Sequence, residues 1–225
     1  MRKRILIARP AERSSEHAAF ARRVHDALVP ALLADDPAGL KLTVTERPPP
    51  RLSLVPFRRA PVAAVSVWSE GPVATEHPGL RIDAYEVDEA IPRDYARGWP
   101  DGEPSPGVNL LTLFSRRPGL DDATFFARWH HGHTPLSLEI HPLWAYVRNV
   151  VTRPLDGAPP LDGIVEEQFR EPADLLDPRR MFGAGRLGPA LWNMGRTAVD
   201  IVGFMDLLGM EIYLATEHHV RSLDG

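Results

Sequence analysis

The chain has 225 residues, 44% of them hydrophobic and 25% charged, enough for one large domain or two small ones. Its net charge of -4 gives no basic footprint for nucleic acid, and the lack of cysteine excludes disulfides, thiolate catalysis and cysteine-bound zinc. No apolar run approaches a membrane span, and the apolar part of the opening MRKRILIARP is too short for a secretory signal, so a soluble cytoplasmic protein is the expectation.

In chain order, KRILIAR predicts a first strand. SSEHAAFARRVHDALVPALLAD then places Phe20, Val24, Ala27 and Ala31 at helical spacing behind serines suited to capping. LKLTVTE, APVAAVSVWSE and LRIDAYEVDE predict three more strands. Prolines gather at 47–61, 99–108 and 153–163, where a residue without an amide hydrogen marks connections. After the second cluster come a strand (VNLLTLFSRR), a helix (DDATFFARWHHGHTPLSLEI), two strands (LWAYVRNVVT and DGIVEEQFRE), a longer helical region over about 172–208, and a closing strand (MEIYLATEHHV).

The second series is β-α-β-β-α-β, the ferredoxin-like order, and the first is a shortened version of it. The expectation is an α+β protein of two ferredoxin-like units, residues 1–98 and 108–225, joined by a linker at 99–107. Their antiparallel sheets would pack face to face as an intrachain barrel enclosing a ligand cavity. FAR occurs in both first helices, at Phe20–Arg22 and Phe126–Arg128.

The stretch FFARWHHGHTPL concentrates three histidines. Phe126, Trp129, His133, Leu136 and Ile140 form one helical stripe, so His133 is expected on the buried side and His131 nearly opposite. Gly132 and Pro135 predict a kink or early stop. His130 and His133 share metal-ligand spacing but lack an acidic partner of the HExxH kind, so no bound metal is expected. A hydrogen-bonded core histidine and a functional one fit the spacing equally. Trp129 one turn from His133, beside a helix break, favours function.

RRPGLDDATFFARWHHGHTPL, LWAYVRNVV and DGIVEEQF together resemble the EthD family of dimeric α+β barrel proteins. The matching residues are Trp129, His133, Pro135, Tyr146, Asn149 and Glu166. The resemblance covers about 108–169 and is looser over the last strand. The first half lacks the His-x-Pro pattern, and His25 aligns with His133 in only one of two registers.

Strand parity sets Glu166 and Gln168 toward the expected cavity and Val165 and Phe169 toward the helices. Tyr146 and Asn149 differ in parity, and Tyr146 is preferred for the cavity. Asp83, Tyr85 and Glu86 could line the opposite wall. Glu217 and His218 form a possible acid/base pair. GAGRLG (183–188) follows a helix and lacks a Lys-Ser/Thr pair, which excludes a nucleotide loop.

The resemblance to α+β barrel families implies cofactor-independent turnover of a hydrophobic, oxygenated, cyclic or aromatic small molecule. Histidine, which titrates near neutrality, favours proton transfer among their reactions, of the isomerase, cyclase, dehydratase or decarboxylase type. His133, Glu166 and Tyr146 would be catalytic, with Trp129, Asn149, Gln168 and Glu217 contacting substrate. The rival, also implied by the resemblance to related barrel families, is a non-catalytic barrel holding a hydrophobic ligand or haem, with His133 as axial ligand. A purely structural subunit is a third possibility. Since one chain would supply both halves, a homodimer is possible but not required.

Overall fold

A computed structural model of the chain describes residues 1–183 and 185–223. Eight antiparallel strands close into a barrel: β1 (Arg2–Pro10), β2 (Gly39–Val44), β3 (Ala63–Ser69), β4 (Leu80–Arg93), β5 (Val108–Phe114), β6 (Leu143–Leu155), β7 (Gly163–Phe169) and β8 (Glu211–Arg221). The order around the barrel is β1-β3-β2-β8-β5-β7-β6-β4. Within the first half this gives β4-β1-β3-β2, and within the second β8-β5-β7-β6.

The expectation of two sheets packed face to face needs correction. The halves are hydrogen-bonded edge to edge, β2 to β8 and β4 to β6, with register shifts in both seams. Closure leaves no unpaired edge, the usual liability of an open sheet.

Nor is the barrel interior an open cavity. Ile5, Ile7, Tyr85, Leu111, Leu113, Ile164 and Tyr213 fill its middle as a packed core. Polar groups occupy its two ends. Arg9 bridges Asp83 and Glu211 at one of them, both at 2.9 Å. Glu86, expected beside Asp83 and Tyr85, lies on the other face, paired with Arg2 and Arg153.

The outer faces of the two halves are each covered by helices. The first half carries α1 (His17–Arg23), a π-helical turn π1 (Val24–Leu28) and α2 (Val29–Ala34). The second carries α3 (Asp122–Phe126), π2 (Ala127–His133) and α4 (Thr134–Ile140), followed by α5 (Pro172–Leu176), α6 (Pro178–Met181) and α7 (Leu187–Val202). Asp121 caps α3 by accepting from the Thr124 amide at 2.7 Å. The proline-rich loop after β2 crosses to the second half, where Val55 and Phe57 join the apolar layer under the helices.

Pro135 does not stop its helix. The π turn before it widens the backbone, and the amide of Thr134 bonds to the Trp129 carbonyl, five residues back. Pro30 is accommodated the same way, with Val29 bonding to Val24. The extra residue rotates the buried face. It runs through Phe125, Trp129, His133, Ser137 and Ile140, rather than the expected stripe through Phe126 and Leu136.

The same face in the first half is Phe20, Val24, Leu28 and Leu32. Superposing the two prolines matches Phe20 with Phe125, Val24 with Trp129 and Leu28 with His133. The FAR coincidence is therefore out of register by one residue. His25 falls opposite His130, and a leucine holds the place of His133.

Candidate functional site

The sequence-predicted site residues do not gather in one place. They divide between the two faces of the sheet. His133, Trp129 and Tyr146 lie in the layer between the barrel's outer face and the helices, while Glu166, Asn149, Gln168 and Glu217 lie inside the barrel.

The interior group forms a charged network at one mouth. Lys41 on β2 donates to Glu166 on β7 at 3.1 Å and to Glu217 on β8 at 3.2 Å. Thr43 donates to the other oxygen of Glu166 at 2.6 Å. Lys3 joins Glu89 at 2.5 Å and the Asn149 side-chain oxygen at 2.8 Å. Gln168 accepts from Asn109 and donates to the Pro106 carbonyl. At the rim Tyr95 donates to Glu217 at 2.5 Å, and its oxygen is 2.7 Å from His219 Nε2. A cleft of about 460 Å³ opens here, bordered by Lys41, Trp68, Tyr95, Glu217 and His219.

This network is locked in its charges. Burial works against the Lys41 ammonium, but Glu166 and Glu217 outweigh it and hold the group well above the ordinary lysine range. Burial likewise pushes Glu217 up, yet Lys41, His219 and Tyr95 pull it far below the ordinary carboxylate range. Burial, reinforced by Glu217, raises the Tyr95 phenol. Groups held so far from neutrality suit structure and ligand orientation rather than proton transfer at pH 7.

The outer layer has the opposite character. His133 is buried, and its Nδ1–H donates to Asp200 on α7 at 2.6 Å. Its other ring nitrogen, Nε2, is 3.2 Å from the Ser137 hydroxyl. Phe204 packs 5.1 Å from the imidazole. Ser137 is itself buried one turn along the same helix, where the amides are spent in backbone bonds, so it serves as a partner rather than a nucleophile.

Beside this pair stands Glu167 on β7, on the parity of Val165 and Phe169. It is 8% exposed, and no hydrogen bond to its carboxyl is found among the described residues. Burial raises its pKa to about 7, with only His133 pulling the other way. Its cross-strand neighbour is Tyr146. The Tyr146 hydroxyl and the Trp129 indole N–H are both buried, facing each other and Thr134 without a fully formed hydrogen bond. Burial, with Glu167 nearby, raises the Tyr146 phenol.

Local sequence explains these placements. Gly163 on β7 lets Trp129 lie against the strand: a Cβ there would meet Phe114 at 2.4 Å and Trp129 at 2.7 Å. Gly183, at φ 72°, brings the chain after α6 onto the carbonyl of Ile140, where a Cβ would sit 2.3 Å away. Met181 accepts from His141 Nδ1 at 2.8 Å in the same contact. Burial there lowers the His141 pKa to about 4.

The preference for Tyr146 over Asn149 as the inward residue is corrected. A register shift between Leu143 and Ala145 sets Ala145, Val147 and Asn149 inward, where the small amide fits against Lys3. The phenol ring lies in the apolar layer that also holds Trp129. Glu166 and Gln168 do face inward, but onto the ionic network rather than toward His133. Glu217 and His218 point to opposite faces of β8, so they form no pair.

Asp200 and Glu167 escaped sequence reasoning. Asp200 lies far along the chain in a region readable only as helical. Glu167 carried a signal, since it interrupts the apolar parity of Val165 and Phe169. Lys41 carried one too, alternating with Leu40 and Leu42 in LKLTV.

Haem does not fit at His133. An axial ligand needs Nε2 free before an open disc, and here Ser137 engages Nε2 while Phe204 packs against the ring.

The fold defines an α+β protein built on a closed antiparallel barrel with helices over both halves. No family model and no curated protein matches the chain. Among solved structures it is similar to an anthrone oxidase-like protein, at 11% identity and a TM-score of 0.52, over 99% of this chain and 94% of that one. It is also similar to a proposed monooxygenase from Fusobacterium nucleatum subsp. nucleatum, at 10% identity and a TM-score of 0.49 over 97% and 92% of the two chains. A third likeness is to a proposed monooxygenase from Lactobacillus acidophilus NCFM, at 8% identity and 0.46 over 98% and 97%. The first of these likenesses shows a shared α+β barrel fold. Among the described residues, no helix is long and apolar enough to cross a membrane.

Proposed function

We propose that the second half of the chain is a proton-transfer site for a hydrophobic, oxygenated small molecule, located between the outer face of the barrel and α4 and α7. His133 is the acid/base group and Asp200 orients it. Glu167 is the second titratable group, and Tyr146 and Trp129 donate to the substrate oxygen. One observation carries this: an imidazole held by Asp200 at 2.6 Å shares one buried layer with the Glu167 carboxyl and with the Tyr146 and Trp129 donors, which face each other and Thr134 without a fully formed hydrogen bond. Native proteins rarely bury such donors unpaired, and a ligand oxygen would satisfy them. A carboxyl titrating near 7 next to an oriented histidine is the pairing that general acid/base chemistry at neutral pH needs.

The site's place revises the expected role of Glu166, which becomes an interior structural carboxylate. The residues around Trp129, His133 and Tyr146 still support kinship with the EthD family. The strand order inside each half, with a π turn before Pro30 and Pro135, supports descent from two ferredoxin-like units, the first having lost its histidine. A fold shared with a protein named anthrone oxidase-like makes aromatic carbonyl compounds the first ligands to try.

The test is deuterium uptake. Wild-type protein in D₂O is mixed with a panel of cyclic and aromatic ketones, and exchange α to the carbonyl is followed by NMR. His133→Ala should slow exchange by about 10²–10⁴-fold, the usual share of a general acid/base. His131→Ala, on the exposed face, should leave it unchanged. Exchange that persists in His133→Ala would remove His133 from the mechanism.

A further inference from the structure

A third polar cluster lies apart from both regions above. His25 on π1, Glu46 just after β2 and His218 on β8 meet on the outside of the first half, at the β2–β8 seam. Each offers one ligand atom, and all three atoms lie within 4.8 Å of one another. Glu46 Oε1 is 3.1 Å from His218 Nε2 and 3.7 Å from His25 Nε2. The two imidazoles stand nearly perpendicular, with centroids 4.7 Å apart.

We propose that His25, Glu46 and His218 bind one divalent transition-metal ion of the zinc or ferrous class, leaving a coordination position open to water. With metal–ligand bonds of about 2.0–2.1 Å, a tetrahedral centre spaces its ligand atoms about 3.3 Å apart. The two separations from Glu46 bracket that value. Two histidines and one carboxylate are a donor set that zinc and non-haem iron both accept. The three come from a helix, a strand end and a strand of the other half, so they converge only in the folded chain.

The surroundings fit a metal better than a plain hydrogen-bonded triad. Thr216 donates to Glu46 Oε2 at 3.0 Å, which turns Oε1 toward both histidines and supplies an outer-shell bond. His218 is 6% exposed, yet it has no partner on Nδ1. A buried imidazole kept only for packing would ordinarily have both nitrogens satisfied. That missing bond also leaves the outer shell thin, so micromolar affinity is expected rather than tighter. Glu46 and His25 remain about a third exposed, so an ion held by them would keep one side accessible to water. A bound ion would pin the first helix of one half to the closing strand of the other.

The experiment uses full-length protein without an affinity tag, stripped with chelator. Zinc is titrated calorimetrically, and cobalt(II) is followed by its visible absorbance. One equivalent should bind, with the intense d–d bands of a four- or five-coordinate cobalt centre. His218→Ala, Glu46→Gln and His25→Ala should each weaken binding by at least about 100-fold. His133→Ala and His131→Ala should not. His25→Ala removes a partly exposed side chain, so it remains informative if His218→Ala fails to fold. Lack of saturation at millimolar zinc would overturn the proposal. So would stoichiometric binding that survives both His25→Ala and Glu46→Gln, since other histidines would then hold the ion.

Discussion

Glu167→Gln should make the protein more stable at pH 8 and leave it nearly unchanged at pH 4.5. The folded-state pKa of Glu167 is about 7, against an ordinary 4.5, because burial penalises the carboxylate. At about 1.36 kcal/mol per pH unit, that difference is worth roughly 3 kcal/mol. The direction follows from proton binding. Below about pH 4.5, folded and unfolded chains both carry the neutral acid, and nothing is lost. As pH rises toward 7, the unfolded chain ionises while the folded chain keeps its proton, so the wild type loses stability. Above 7 the full penalty is in place. Glutamine keeps the shape without ionising and escapes it. For a chain of this length the gain is roughly 6–12 °C in Tm, at about 2–4 °C per kcal/mol. Comparing variant and wild type at each pH cancels the titration of the other carboxylates. Melts at pH 4.5, 6 and 8 by circular dichroism suffice. A difference between the two proteins that does not change with pH would refute the assignment of Glu167 as a buried acid titrating near neutrality.

Lys41→Ala leaves Glu166 and Glu217 buried without their shared cation and should cost about 3–5 kcal/mol, read in urea melts. Because that pairing holds Glu217 far below the ordinary carboxylate range, its contribution is present near neutrality and fades as pH falls below about 4.5, so the variant's deficit should shrink in acid. Gly163→Ala forces Phe114 and Trp129 to shift and should cost about 1–3 kcal/mol, with a changed near-ultraviolet dichroism spectrum where Trp129 moves. An unaltered spectrum and melt would mean that the layer is looser than its contacts imply.

Much of the architecture is written locally. The alternation in KRILIAR, LKLTVTE and MEIYLATEHHV is enough to set strands, because period-two patterning commits each side chain to one face. The same logic places Glu166 and Gln168 inside the barrel and His133 on the covered side of its helix. Which covered side it is, and what it meets there, required the fold. The π turns are invisible to a 3.6-residue periodicity and shift the buried face by a residue, so Ser137 rather than Leu136 meets His133. Tyr146 and Asn149 exchange their expected places because a register shift in β6 resets parity, which pairing with β7 decides. His133 and Asp200 are 67 residues apart, while His25, Glu46 and His218 span most of the chain. Patterning fixes the direction of a side chain relative to its own strand or helix. Only barrel closure and helix docking bring distant side chains within bonding distance, and both putting His133 on Asp200 and parting it from Glu166 are the work of those long-range contacts.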